Sequence, residues 1–111
     1  MLKRELREGD PLVIMSLMRV KGIIWLRAFV DKLALKHSVS TQEVKEVFDS
    51  SPRFRFVEKG IVEGEDLYAA MGQTSAGRYL IVFYVHKLDG RALVISAREM
   101  DQRERTAYAK K

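Results

Sequence analysis

Apolar residues recur first at helical and then at strand spacing along the chain. Gly22 to Trp25 forms an apolar stretch that leads into Phe29, Val30, Leu33 and Ala34, whose three- and four-residue spacing predicts a helix ending near His37. Ser40 and Glu43 have capping-box spacing, Val44, Val47 and Phe48 make an apolar stripe, and Ser50-Ser51-Pro52 stops this second helix, so the pair predicts a helical hairpin. After Pro52 the period shortens. Arg53 to Glu58 largely alternates, Leu67 to Met71 is a short apolar run, and Tyr79 to Leu88 is almost continuously apolar and aromatic, as a central strand would be. Asp89-Gly90 signals a hairpin turn that returns the chain through Ala92 to Ala97. Asp101, with Glu104 three residues on, caps a last helix that runs to Lys111. This order predicts an α+β fold: a compact antiparallel sheet, a helical hairpin before it, a C-terminal helix after it, and helices packed on one side.

At 111 residues the chain has enough interior for one core, and residues 18–111 are expected to form a single domain. Residues 1–17 differ from the rest and read as an appended leader, with Met18 as a second plausible start. Their six charged residues cancel, so the net charge of +5 belongs to the remainder. The basic residues before Leu12 to Met18 resemble a secretory signal, but Glu5, Glu8 and Asp10 intervene and no small-residue cleavage site follows, so export is not expected.

A composition of 47% hydrophobic and 32% charged residues fits an ordered domain. Without cysteine, disulfides and thiolate chemistry are excluded, and a reducing cytoplasm is the default compartment. The longest apolar run, Tyr79 to Val85, is much shorter than the ~20 residues of a membrane-spanning helix. The positive balance favours a polyanionic partner and tilts the reading toward nucleic acid. The glycines match neither a P-loop nor a dinucleotide fingerprint, and His37 and His86 stand in no metal-ligand spacing, so a reaction without metal or cofactor is expected.

Lys36-His37 ends the first helix, where the helix dipole favours cations, and histidine is the natural proton carrier near neutral pH. Packing of His37 on the stripe begun by Leu33 is the competing account. Arg78 precedes the central strand and Arg98 ends its partner. A two-residue Asp89-Gly90 loop would put these arginines on opposite faces, whereas a three-residue Leu88-Asp89-Gly90 loop with a glycine bulge, the favoured reading, would put them together on one phosphate. Without further information, a salt bridge to Glu99 or Asp101 is favoured over a phosphate for either. Arg103, Arg105, Lys110 and Lys111 make the last helix basic, with Tyr108 available to stack on a base, although a solvated face explains the charges equally well. Tyr84 and His86 share one strand face, with Tyr84 expected in the core.

Together these residues resemble the BrnT-type toxins, small RelE-like ribonucleases of bacterial type II toxin-antitoxin pairs. The likeness covers about residues 20 to 110. It is carried by Trp25 ahead of Lys36-His37-Ser38-Val39, the Glu43 to Phe48 helix, Gly72-Gln73-Thr74 before Gly77-Arg78, Ile95-Ser96-Ala97-Arg98, and Arg103-Glu104-Arg105 with Tyr108. The resemblance implies metal-independent RNA cleavage, inhibition of translation, and a cognate antitoxin from an adjacent gene, with a toxin-antitoxin hetero-oligomer as the resting form. It implies His37 as acid or base, Lys36, Arg78 and Arg98 as phosphate binders, and Trp25, Arg103, Arg105 and Tyr108 as flanking RNA contacts. On that reading Arg78→Ala abolishes toxicity and leaves the fold intact. Two positions depart from the family pattern: Ser38 stands where glycine is usual after Lys-His, and Leu26 where aspartate often follows the tryptophan. A non-catalytic RNA- or protein-binding module or a degenerate toxin on the same fold remains the rival. In a third reading, Arg78 and Arg98 meet acidic side chains of the antitoxin.

Overall fold

The computed structural model describes residues 20–110, so the leader expected over 1–17 lies outside the described residues. A five-stranded sheet runs β1-β5-β4-β3-β2, with β1 Gly22–Ile24, β2 Arg53–Glu58, β3 Leu67–Gln73, β4 Tyr79–His86 and β5 Arg91–Glu99. The last four strands form the expected antiparallel meander around a central β4. The sheet as a whole is mixed, because β1 pairs parallel with β5, Ile23 opposite Ala92. A strand of three residues is too short to display a period of two, which is why the stretch before Trp25 reads as the lead into a helix.

The helices are α1 Arg27–Lys32, continued by a π-helical turn Leu33–His37, then α2 Thr41–Asp49 and α3 Gln102–Ala109. The first two cover one face of the sheet, here called inner. Leu33, Val39, Val44 and Val47 are buried there against Ala70, Leu80, Val82, Tyr84, Ala92, Val94 and Ala97. The three-residue spacing that predicted α2 thus points Val44 and Val47 into the core, and a side-chain capping box at Ser40 and Glu43 starts the helix. A Cβ on Gly72 would lie 2.7 Å from Ser50 Oγ and 3.0 Å from Val47 Cγ1, so glycine lets α2 rest directly on β3.

The expectation that all helices share one side is corrected by α3, which lies on the outer face. There Tyr79 and Tyr108 pack on a second core of Ala69, Met71, Ile81 and Met100. The strands carry apolar residues on both faces, so one helical layer could cover only half of them. Among the described residues no helix is long and apolar enough to cross a membrane.

The two departures from the family pattern have visible consequences. Leu26 is the N-cap of α1, in extended conformation and without a side-chain cap. Leu26→Asp would supply a carboxylate to the free N–H groups of the first turn and is expected to stabilise the protein by about 1 kcal/mol, read as a higher urea midpoint. Ser38 adopts the left-handed conformation (φ 51°, ψ 41°) that glycine occupies without strain, so the helix end is the same turn built at a higher backbone cost. The wide turn ends on Val39 N–H, which donates to Leu33 C=O at 3.2 Å. It also shifts the side chains off the 3.6-residue period, leaving Ala34 exposed where the spacing had placed it in the stripe.

Candidate functional site

The turn between β3 and β4 builds the position of Arg78. Thr74 is buried, its N–H donates to Arg78 C=O, its hydroxyl accepts from Arg78 N–H at 3.0 Å, and Gly77 turns the chain with φ +90°. Arg78 then reaches over the inner face. Its Nε donates to Glu99 at 3.2 Å, Nη1 to Ser38 C=O at 2.7 Å and to both Glu43 oxygens at 3.0 and 3.1 Å, and Nη2 to His37 C=O at 3.0 Å. A guanidinium has five N–H groups, so this network leaves Arg78 little capacity for a phosphate. Glu43 also accepts from Ser40 N–H, joining the cap of α2 to the end of the π-helical turn. Burial works to raise the Glu43 pKa, but hydrogen bonds from Ser40 and Arg78 outweigh it and leave the carboxyl below its ordinary value.

Arg98 stands on the outer face and not beside Arg78. The turn itself is the one favoured from sequence: Lys87 N–H donates to Arg91 C=O at 2.8 Å and Gly90 has φ +91°, making Leu88-Asp89-Gly90 a three-residue loop. A second register shift overturns the inference drawn from it. Tyr84 pairs with Val94 but Phe83 with Ser96, so Ile95 is an extra residue and Arg98 falls opposite Ile81. One bulge alone would have joined the arginines on one face; the second separates them, and they cannot share one phosphate.

Arg98 lies 5.5 Å from the Phe83 ring centre and grips Glu104 with two bonds of 2.6 and 2.8 Å. Those bonds from Arg98 are the main reason the Glu104 carboxyl titrates below its ordinary value. Glu104 in turn accepts from Asp101 N–H in the capping box of α3. The two arginines therefore do matching work, each tying the glutamate of a capping box to the sheet.

The residue that joins Arg78 at an open cleft is Arg105. It is exposed, lies 4.4 Å over the Tyr79 ring, and lines one cleft with Gly77, Arg78, Tyr79 and Glu99. The same guanidinium forms the wall of a neighbouring cleft lined by Tyr79, Gln102, Thr106 and Lys110. A cationic groove thus follows one side of α3 from Arg78 to Lys110. Tyr108 does not face it freely: the ring is half-buried and packs edge-on against Tyr79 at 6.0 Å. Arg53, which the sequence reading passed over, donates from Nη1 to Ala107, Tyr108 and Lys110 carbonyls and ties down the C-terminal end of α3.

Of the other expected site residues, Lys36 is exposed and His37 half-buried, with the His37 backbone fixed to Arg78. Arg103 is exposed on α3. Trp25 is half-buried and lines a separate cleft with Lys21, Gln42, Lys45 and Phe48, between β1 and α2. Tyr84 is fully buried as expected, with Phe48 edge-on at 5.2 Å, and burial pushes its phenol well above the usual tyrosine range. Among the described residues, no three His, Asp or Glu side chains are grouped to hold a metal ion.

Residues 30–104 match the family model described as the ribonuclease toxin, BrnT, of type II toxin-antitoxin systems. No curated protein was found to match the chain.

Proposed function

The chain belongs to the BrnT family of ribonuclease toxins of type II toxin-antitoxin systems, and from that premise we propose that it cleaves RNA without a metal ion at the cleft of Arg78, Glu99 and Arg105, with Lys36 and His37 supplied from the adjoining end of the π-helical turn. The observation that carries this reading is the open cleft shared by Arg78, Glu99 and Arg105, beside a His37 whose backbone Arg78 holds. An RNA strand lies along the groove of α3, with its phosphates on Arg105 and Lys110 and one base against the Tyr79 edge.

Cleavage proceeds by attack of the ribose 2'-oxygen on the adjacent phosphorus. The Glu99 carboxylate takes the 2'-hydroxyl proton, the O2'–P bond forms, the P–O5' bond breaks, and protonated His37 gives a proton to the departing 5'-oxygen. Arg105 and Lys36 stabilise the charge that builds on the non-bridging oxygens. Arg78 positions both proton carriers, since it bonds Glu99 directly and His37 through its carbonyl. RNA cut in this way ceases to serve as a template, so translation stops.

The test is induced expression from Met18, with total RNA mapped by primer extension, and cleavage by the purified protein in EDTA. Growth arrest with new RNA ends, EDTA-resistant cleavage, and loss of the alkaline or acid limb of the pH profile in His37→Ala or Glu99→Gln are expected. Arrest with intact RNA would make the protein a non-catalytic binding module, and EDTA-sensitive cleavage would overturn the metal-free route.

A further inference from the structure

The end of the sheet remote from Arg78 carries the most apolar part of the surface. Among the described residues, five of the seven exposed large hydrophobic side chains are Phe56, Val57, Ile61, Val62 and Leu88, with Ile61 fully exposed. The chain brings them to one corner. Gly60 N–H donates to Asp66 at 3.0 Å, folding the 59–66 loop back on itself. Glu65 accepts from Lys87 Nζ at 2.7 Å and from Leu88 N–H at 3.1 Å, which fastens that loop to the β4–β5 turn. Single apolar residues are ordinary on a surface, but such a gathering marks a place that another molecule covers.

The same corner holds an open strand edge. β2 pairs with β3 on one side only, and all of its residues except Phe54 are exposed. The opposite edge, β1, is only three residues long. Proteins usually blunt a free edge, because its unpaired N–H and C=O groups accept another strand; here Arg55 and a bulge at Val57 limit the edge without closing it. In β2, Phe54 and Phe56 share the inner face with Ala70 and Tyr68, while Arg55 shares the outer face with Ala69.

We infer that β2 and the Phe56–Leu88 corner anchor the cognate antitoxin, which adds an extended segment to the β2 edge with apolar side chains beside Phe54 and Phe56 and a carboxylate beside Arg55. This rests on the family membership for the existence of the antitoxin and on the edge for its place. Charge selects it over a second copy of this chain. Antiparallel self-pairing that keeps each face in register and sets Phe54 against Phe56 puts Arg55 opposite Arg55, and like charges directly opposite are destabilising. An acidic strand removes that conflict. The apolar corner lies at the far end of the eight-residue β4 from Arg78, roughly 25 Å away, while the start of β2 reaches the C-terminal end of α3, where Arg53 donates to the Lys110 carbonyl.

The experiment titrates the purified cognate antitoxin against the wild type, Phe56→Lys/Val57→Lys, Arg55→Glu and Ile61→Lys/Leu88→Lys, with hydrogen exchange of the wild-type complex and RNA cleavage measured without antitoxin. Each variant is expected to weaken antitoxin binding at least tenfold while cleaving RNA as the wild type does, and exchange should slow across Arg53–Glu58. Should the β2 double variant misfold, Ile61→Lys/Leu88→Lys changes only exposed loop residues and carries the comparison. Wild-type affinity in the folded variants, or protection confined to α3 and the Arg78 turn, overturns the anchor. A concentration-dependent dimer that the β2 variant abolishes at unchanged antitoxin affinity gives the corner to a second copy and overturns it too. A wild type that cleaves no RNA defeats the ribonuclease reading while leaving the binding comparison intact.

Discussion

Arg78→Ala is expected to lose RNA cleavage and stability together. The side chain is about three-quarters covered and bonds two carboxylates and two backbone carbonyls. Its removal leaves Glu43 with only Ser40 as a donor and the carbonyls of His37 and Ser38 without their guanidinium donor. Hydrogen bonds to charged groups contribute about 1.5–3 kcal/mol each and do not add when they share a side chain, so a loss of about 3 kcal/mol is expected. In a domain of this size that lowers the melting temperature by roughly 10–20 °C. Arg78→Lys keeps the charge but cannot span acceptors on three elements, and so should recover only a minor part. Urea unfolding and single-turnover cleavage on the folded fraction measure both effects. A variant with wild-type stability and no cleavage would make Arg78 a direct phosphate ligand, as the family resemblance implied, and would sink the positioning role.

The elements were legible wherever a local signal decided them. Both capping boxes, the stripe of α2, the continuous apolar run of β4 and the glycine of the β4–β5 loop are properties of neighbouring residues, and each appears in the structure as read. The parallel β1 was not legible, because three residues carry no period and their partner lies some seventy positions on. Nor was the face of Arg98. The register at the turn predicts it only if the strands stay paired one to one, and the extra residue at Ile95 has no glycine or proline to announce it.

The candidate site shows the same division. Arg78, Glu43 and Glu99 are visible as charged residues, but their convergence depends on packing of the helical hairpin against the start of β4 and the end of β5. Arg105 and Arg103 are equivalent in sequence, two basic positions on one short helix. Only the docking of α3 across Tyr79 separates them, bringing Arg105 to the cleft. Tyr108 looked available for stacking because aromatic residues on a basic helix serve two purposes, and burial of the outer core assigns it to the other one.

Arg105 and Arg98 should therefore give opposite results. Arg105→Ala removes a guanidinium that stands on a tyrosine ring in an open cleft, so the melting temperature should stay near the wild-type value. If the phosphate of the cleaved linkage sits there, the loss of transition-state charge stabilisation lowers the cleavage rate by about 10²–10³-fold. Arg98→Ala leaves Glu104, whose side chain is only 10% exposed, without its bidentate partner. An unpaired carboxylate in that position costs about 2–3 kcal/mol, and the folded fraction should cleave RNA at a rate within a fewfold of the wild type, because the guanidinium is held by Glu104 and lines neither cleft of the groove. Melting curves and single-turnover cleavage of the two variants, run side by side, separate the roles. Cleavage lost in Arg98→Ala at full folding would return that arginine to the catalytic set. Unchanged cleavage in Arg105→Ala would remove the α3 groove from the path of the RNA.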